Sequence, residues 1–270
     1  MREESLRILL LGAHPDDAEF AAGGLLTAHR QQGSVVRMVS VTDGRSGHHT
    51  MASGELVERR HREAARSASM IGAEASVWDF PDGYLEPTLA LRRRILGEVR
   101  IFKPDLVLTH RPWDYHPDHR AVGLAVQDAC YLFTVPLVEP EFPALRKDPV
   151  VAFLADPFTS PSPFRPDWVL DTGPWIDQIV DLLACHESQF FEWLPFHDGL
   201  LDQVPDDPGQ RRVWLKSWYQ EAARQRRGHF WPDAWGAPSG TVEAFEVSQY
   251  AGKVSEKELA RLFPMARRVS

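Results

Sequence analysis

At 270 residues the chain is long for one domain and short for two, so a single domain spanning 1–270 with elaborations is the default organisation. An apolar fraction of 43% and a charged fraction of 25% are those of an ordinary globular protein. A formal charge of -8 argues against a surface that neutralises phosphates, and no run approaches the roughly 20 apolar residues that span a bilayer, so neither nucleic-acid binding nor membrane insertion is expected.

The N-terminus, MREESLRILLLG, places charges before a short apolar run with no small-residue cleavage site, and reads as the start of a cytoplasmic protein. Arg7 to Ala13 is too short for a helix and is closed by a polar cluster, which marks a buried strand. A helix follows over Asp17 to Gln32, stopped by Gly33, and then a β-branched strand over Ser34 to Thr42. The pattern continues with a helix over Glu55 to Gly72, a strand over Val77 to Phe80, a helix over Leu89 to Phe102, a strand over Leu106 to Thr109 and a helix over Ala121 to Phe133. Strands alternating with helices of this length imply right-handed crossovers. The fold class is therefore α/β: three layers, a mostly parallel Rossmann-like sheet with helices on both faces.

The regular core ends near residue 133, and 134–270 reads as a loop-rich C-terminal elaboration. Within it, Val150 to Leu154, Trp168 to Leu170 and Thr241 to Val247 are predicted strands, and Ile176 to Phe191 and Gln210 to Arg226 predicted helices. Cys130 and Cys185 form neither a disulfide framework nor a cysteine zinc site and read as small buried hydrophobes.

In open parallel sheets, ligands bind beyond the carboxyl ends of the strands. Two polar clusters sit at such ends: Gly12-Ala13-His14-Pro15-Asp16-Asp17-Ala18-Glu19 and Trp113-Asp114-Tyr115-His116-Pro117-Asp118-His119. Each contains His-Pro-Asp. A catalytic zinc site wants three nitrogen or oxygen ligands and an open position, and His14, Asp17 and His119 supply such a set, with Asp16 beside it to take a proton from water. Taken singly, Asp16 or Asp17 reads equally as a helix cap, and His14 as a surface loop residue.

His-Pro-Asp-Asp-x-Glu followed about 100 residues later by His-Pro-Asp-His resembles the LmbE/PIG-L family of zinc-dependent N-deacetylases. Thr42-Asp43-Gly44, Pro81-Asp82-Gly83-Tyr84-Leu85, His186-Glu187-Ser188-Gln189-Phe190 and Glu243-Ala244-Phe245 extend the likeness. The resemblance implies Zn2+, or another divalent ion, on His14, Asp17 and His119, with Asp16 as general base. It implies that His116 meets the oxyanion as an imidazolium oriented by Asp118, that Arg60 holds sugar hydroxyls, and that Glu19 supports a ligand. The implied reaction removes an N-acetyl group from an amino sugar of N-acetylglucosamine type. A thiol-conjugate amidase and a non-catalytic sugar-binding protein are the alternatives, and the oligomeric state, including a homo-oligomer, stays open.

Trp113 adjoins the second cluster and is the expected sugar platform; Trp193, Trp231 and Trp235 also invite stacking, while Trp214 and Trp218, spaced i, i+4, read as core. His48 and His49 read as loop residues, His61 as a core histidine and His110 as structural. His186 is expected near the site entrance. A dinucleotide role is the weakest alternative, because the first turn lacks Gly-x-Gly-x-x-Gly and Gly23-Gly24 lies inside the helix.

Overall fold

The computed structural model describes residues 5–228, 240–250 and 252–269. The first half forms β1 (Arg7–Gly12), α1 (Asp17–Gln31), β2 (Val35–Thr42), α2 (Ser53–Met70), β3 (Glu74–Phe80), α3 (Leu89–Phe102), β4 (Leu106–Thr109) and α4 (Pro117–Cys130). The second half adds β5 (Val150–Leu154), β6 (Trp168–Asp171), α5 (Ile176–Ala184), α6 (Leu194–His197), α7 (Pro208–Gly228), β7 (Val242–Val247), α8 (Glu256–Leu262) and β8 (Arg267–Arg268).

All eight strands form one sheet in the order β3-β2-β1-β4-β5-β7-β6-β8. β3, β2, β1, β4 and β5 run parallel, and β7 pairs antiparallel with both β5 and β6. The residues beyond 133 thus extend the same sheet. β1 is buried on both faces: Leu9 and Leu11 pack with α3 and α4, whereas Ile8 and Leu10 pack with α1, α5 and α7. Alternating side chains of a strand point to opposite faces, so this continuous apolar run is what a middle layer requires. Among the described residues no helix is long and apolar enough to cross a membrane.

Strand order reverses between β1 and β4, which opens a crevice at their carboxyl ends. Both His-Pro-Asp clusters follow these two strands and therefore meet there. α4 begins at Pro117, four residues before the helix expected from sequence, with His116 as its N-cap accepting from the Asp118 N–H at 3.2 Å. Proline at the first helical position is preorganised for this start. α5 stops at Ala184, and the expected helix through Phe191 is replaced by a π-helical turn, Ser188–Trp193. There Glu63 of α2 takes the Ser188 N–H (2.9 Å) and hydroxyl (2.6 Å). Backbone donors captured by a side chain no longer extend the helical ladder.

α1 also breaks, at Ala22 (φ -145°, ψ 15°). The N–H groups of Gly24 and Leu25 donate instead to the Glu243 carboxylate of β7 at 2.7 and 2.9 Å. Glu243 thus joins the second half of the chain to the helix that carries the first cluster.

Candidate metal and catalytic site

Four turns build the site: β1–α1, β2–α2, β3–α3 and β4–α4. Their contributions are His14, Asp16 and Asp17; Ser46 and Gly47; Asp82 and Gly83; and Tyr115, His116 and His119. With Arg60 of α2 and residues of the π-helical turn, α6 and α7, they line a cleft of about 480 Å³, within the range of small-molecule sites.

His14 Nδ1 lies 3.3 Å from His119 Nε2 and 3.6 Å from Asp17 Oδ2, and His119 Nε2 lies 3.4 Å from Asp17 Oδ1. A tetrahedral site with bonds of about 2.0–2.1 Å has ligand–ligand edges of roughly 3.3–3.4 Å. The outward nitrogens are already held: His119 Nδ1 by Asp114 Oδ1 at 3.0 Å, and His14 Nε2 by Asp82 Oδ1 and Asp118 Oδ2 at 3.2 and 3.3 Å. Carboxylates behind ligand histidines fix the ring and leave the inward nitrogen for the metal. Other donor sets overlap this one, including Asp17, His110 and His119, and His14, His116 and His119. His110 Nε2, however, lies 3.0 Å from Asp17 Oδ2, and with its proton on that nitrogen it donates to the carboxylate and braces Asp17. The residues present fit a divalent ion on His14, Asp17 and His119.

The charges reflect this crowding. Burial pulls His14 down, yet Asp118, Asp82 and Asp17 together raise its pKa to about 9. His119 behaves alike: burial is outweighed by Asp17 and Asp114, and its pKa rises to about 10. Asp17 is opposed by burial but held well below the usual carboxylate range by His119 and His110.

Asp16 is the N-cap residue of α1 at φ 157°, ψ -18°, and makes no side-chain capping bond. A non-glycine residue in that region is strained and needs its surroundings to hold it. Its Oδ2 instead accepts from Arg60 Nη2 at 3.0 Å. Burial pushes Asp16 up to about 6, against the Arg60 charge. Arg60 is 2% exposed and also donates to the Pro15 carbonyl at 2.9 Å. The glycine at 44, with φ +69°, is what admits it, since a Cβ there would stand 2.6 Å from Arg60 Cδ. Arg60 was expected to hold sugar hydroxyls; in the structure its guanidinium is turned onto Asp16.

His116 differs from expectation. The Asp118 carboxylate accepts from Gly83 N–H (2.7 Å) and Leu85 N–H (3.2 Å) and faces His14, while only the Asp118 backbone reaches His116. Burial, with the neighbouring His14 and His119, pushes His116 down to about 4. Its Nδ1 is occupied as an acceptor, so neutral His116 carries its proton on Nε2.

Glu19, expected behind a ligand, is buried and pairs with His186 at 2.9 Å. His186 is wholly buried, not at the entrance. Trp113 is 48% exposed and is not among the residues lining the cleft, where Trp193 and Trp218 stand instead. Trp231 and Trp235 lie outside the described residues. His61 is exposed, because it falls on the solvent face of α2. His48 Nε2 is held by Glu192 at 2.9 Å, and Arg59 grips the same carboxylate at 2.5 and 2.8 Å. This clasp ties the β2–α2 turn to the π-helical turn.

The family profile described as GlcNAc-PI de-N-acetylase (PIG-L) matches residues 9–130. A diacetylchitobiose deacetylase of Thermococcus kodakarensis is 28% identical over 206 residues, 70% of this chain and 74% of that protein. A 4-oxalmesaconate hydratase of Pseudomonas putida is 26% identical over 195 residues, covering 68% of this chain and 74% of that one. The solved N,N'-diacetylchitobiose deacetylase from Pyrococcus horikoshii superposes with a TM-score of 0.71 at 19% identity, covering 92% of this chain and 85% of that chain. The PIG-L (LmbE-like) family model thus matches residues 9–130 of this chain, the span that holds both His-Pro-Asp motifs.

Proposed function

We propose that the protein is a metal-dependent hydrolase that removes an N-acetyl group from an amino sugar. The observation that carries this reading is the convergence of His14 Nδ1, His119 Nε2 and the Asp17 carboxylate, with the two nitrogens 3.3 Å apart and each within 3.4–3.6 Å of one Asp17 oxygen, beside a second carboxylate held by a buried arginine. The family match and the 28% identical deacetylase support the N-acetyl group as the target.

His14, Asp17 and His119 would hold the ion, zinc or another divalent metal, which supplies Lewis acidity at an open coordination position. Asp16 removes a proton from the attacking water as the C–O bond forms. Arg60 and burial together keep Asp16 ionised at neutral pH yet basic enough to accept that proton. His116 donates Nε2–H to the acyl oxygen as negative charge builds there. A neutral imidazole at a helix N-terminus serves as an electrophile in this way, and a nearby cation only reinforces its neutrality. Asp16 then returns its proton to the amine nitrogen as the C–N bond breaks, releasing acetate and the free amino sugar. Asp118 acts through His14, and Asp114 through His119, as positioning residues.

A hydratase relative raises a second reading, addition of water to an unsaturated carboxylic acid. A polyanionic substrate wants free cations. Arg60 is the one arginine or lysine among the described lining residues, and it is committed to Asp16. This supports an uncharged amide over a polyacid. A panel of N-acetylated sugars, thiol conjugates and unsaturated diacids, assayed for released amine and for loss of alkene absorbance, tests the choice. Alkene loss without amine release would overturn the amidase reading.

A further inference from the structure

We propose that one part of the cleft is a subsite for an apolar group, so that the preferred substrate is an amino-sugar amide bearing an aryl or alkyl substituent. The inference rests on the reading above and concerns a wall that the reaction does not use. The cleft lining contains two unlike groups. Ser46, Gly47, Asp82, Gly83 and Gln189 offer hydroxyl, carboxylate, amide and backbone groups, with Ser46 bonded to Asp82 and Gln189 to Gly47. Phe20, Phe190 and Trp218, which touch one another, and Trp193 and Leu194 offer apolar surface.

The second group is a built surface. Phe20 and Phe190 stack at 6.4 Å, and Trp218 meets Phe190 edge-on at 5.7 Å and Phe20 at 6.2 Å. Arg226 lies over the Phe20 ring at 4.4 Å and donates to the Phe20 carbonyl, which holds this part of α1. Trp193 stacks on Phe196 at 6.1 Å, and Phe196 in turn on His49 at 4.0 Å. The clasp of Glu192 with His48 and Arg59 anchors the turn that carries Phe190 and Trp193. Phe20, Trp193, Leu194 and Trp218 nonetheless stay only partly buried. Apolar rings held rigidly yet left partly open gain when a ligand removes them from water.

A second sugar is a poor occupant. Sugar hydroxyls stripped of water need partners, and His197 is the one side chain on this surface that supplies a strong donor or acceptor apart from the indole N–H groups. The apolar group can enter as the aglycone or as a longer acyl chain; both present the same chemistry, and the test separates them.

Binding is read first, without turnover. Quenching of tryptophan fluorescence should show octyl glucosaminide binding at least about tenfold more tightly than glucosamine, the scale set by withdrawing an alkyl chain from water. Trp193→Ala, which leaves the Phe20–Phe190–Trp218 packing in place, should reduce that advantage several-fold while melting temperature and metal content hold. Equal affinity of the two ligands overturns the inference whatever the enzyme hydrolyses. Turnover then compares octyl N-acetylglucosaminide with N-octanoylglucosamine, each against N-acetylglucosamine. A higher kcat/KM for the first assigns the wall to the aglycone, and for the second to the acyl chain; turnover of N-acetylglucosamine with no gain for either overturns it. Tight octyl binding with no amine released from any substrate would leave the apolar subsite standing and sink the deacylase reading instead.

Discussion

Loading the metal-free chain with zinc should expel protons and should tighten steeply as pH rises. His14 and His119 lie nitrogen to nitrogen at 3.3 Å within a ring of carboxylates, Asp17, Asp82, Asp114 and Asp118. Without a cation to balance those charges, the pair retains at least one extra proton, and His14 alone is raised to about 9. The sign follows: a group whose pKa is raised in the metal-free state competes with metal below that pKa, and the competition vanishes above it. At pH 7 the two pH units below 9 cost about 2.7 kcal/mol, at ~1.4 kcal/mol per unit, or about 100-fold in apparent affinity. Each unit gained between about pH 6 and 8 should therefore tighten binding by at least about tenfold. Titration calorimetry in two buffers of different ionisation enthalpy counts the protons directly. An affinity flat across that range, with an enthalpy independent of buffer, would refute the reasoning, because the histidines would then be neutral before the metal arrives.

Asp16→Asn should retain metal while losing rate by a factor of about 10²–10⁴, the scale for removing a general base; loss of metal would make Asp16 a ligand and reverse the assignment of the two carboxylates. Glu192→Ala releases the clasp on the π-helical turn, and should raise KM about three- to tenfold, more than it lowers kcat, with metal content unchanged; steady-state kinetics showing a pure kcat loss would contradict a positioning role. Glu243 is raised to about 7 by burial, despite its two backbone donors. Its contribution to stability is therefore complete below about pH 4.5 and is lost as pH rises through 7, a change of up to ~3 kcal/mol. Urea unfolding at pH 5 and 8 should show this loss in wild type and its removal in Glu243→Gln; parallel slopes in the two proteins would rule it out.

The first half of the fold was legible because each strand is an apolar run closed by a turn, and each helix shows a 3.6-residue period. The sequence also singled out His14, Asp16, Asp17 and His119, which the fold brings to one cleft because His-Pro-Asp recurs after two strands that topology makes neighbours. Orientation was not legible. Asp118 lies two residues from His116, and the family resemblance paired the two; α4 starting at Pro117 turns that carboxylate toward His14 and the β3–α3 backbone instead. Asp114 carries no motif of its own, and its hold on His119 appears only once the turn is folded. His110 sat one residue past a strand and read as structural, yet it lies 3.0 Å from Asp17. The aromatic wall was hidden for a different reason. Its residues come from four segments, and the i, i+4 spacing of Trp214 and Trp218 fits a core helix and a cleft-lining helix equally.

The measurement closest to the central claim is amine release from an N-acetylglucosaminide by chain stripped of metal and then rebuilt with one equivalent of zinc. The stripped chain should release no amine, and the rebuilt chain should release acetate and amine in equal amounts. Undiminished release by a verified metal-free sample, or none by a fully loaded one across the sugar panel, would contradict it.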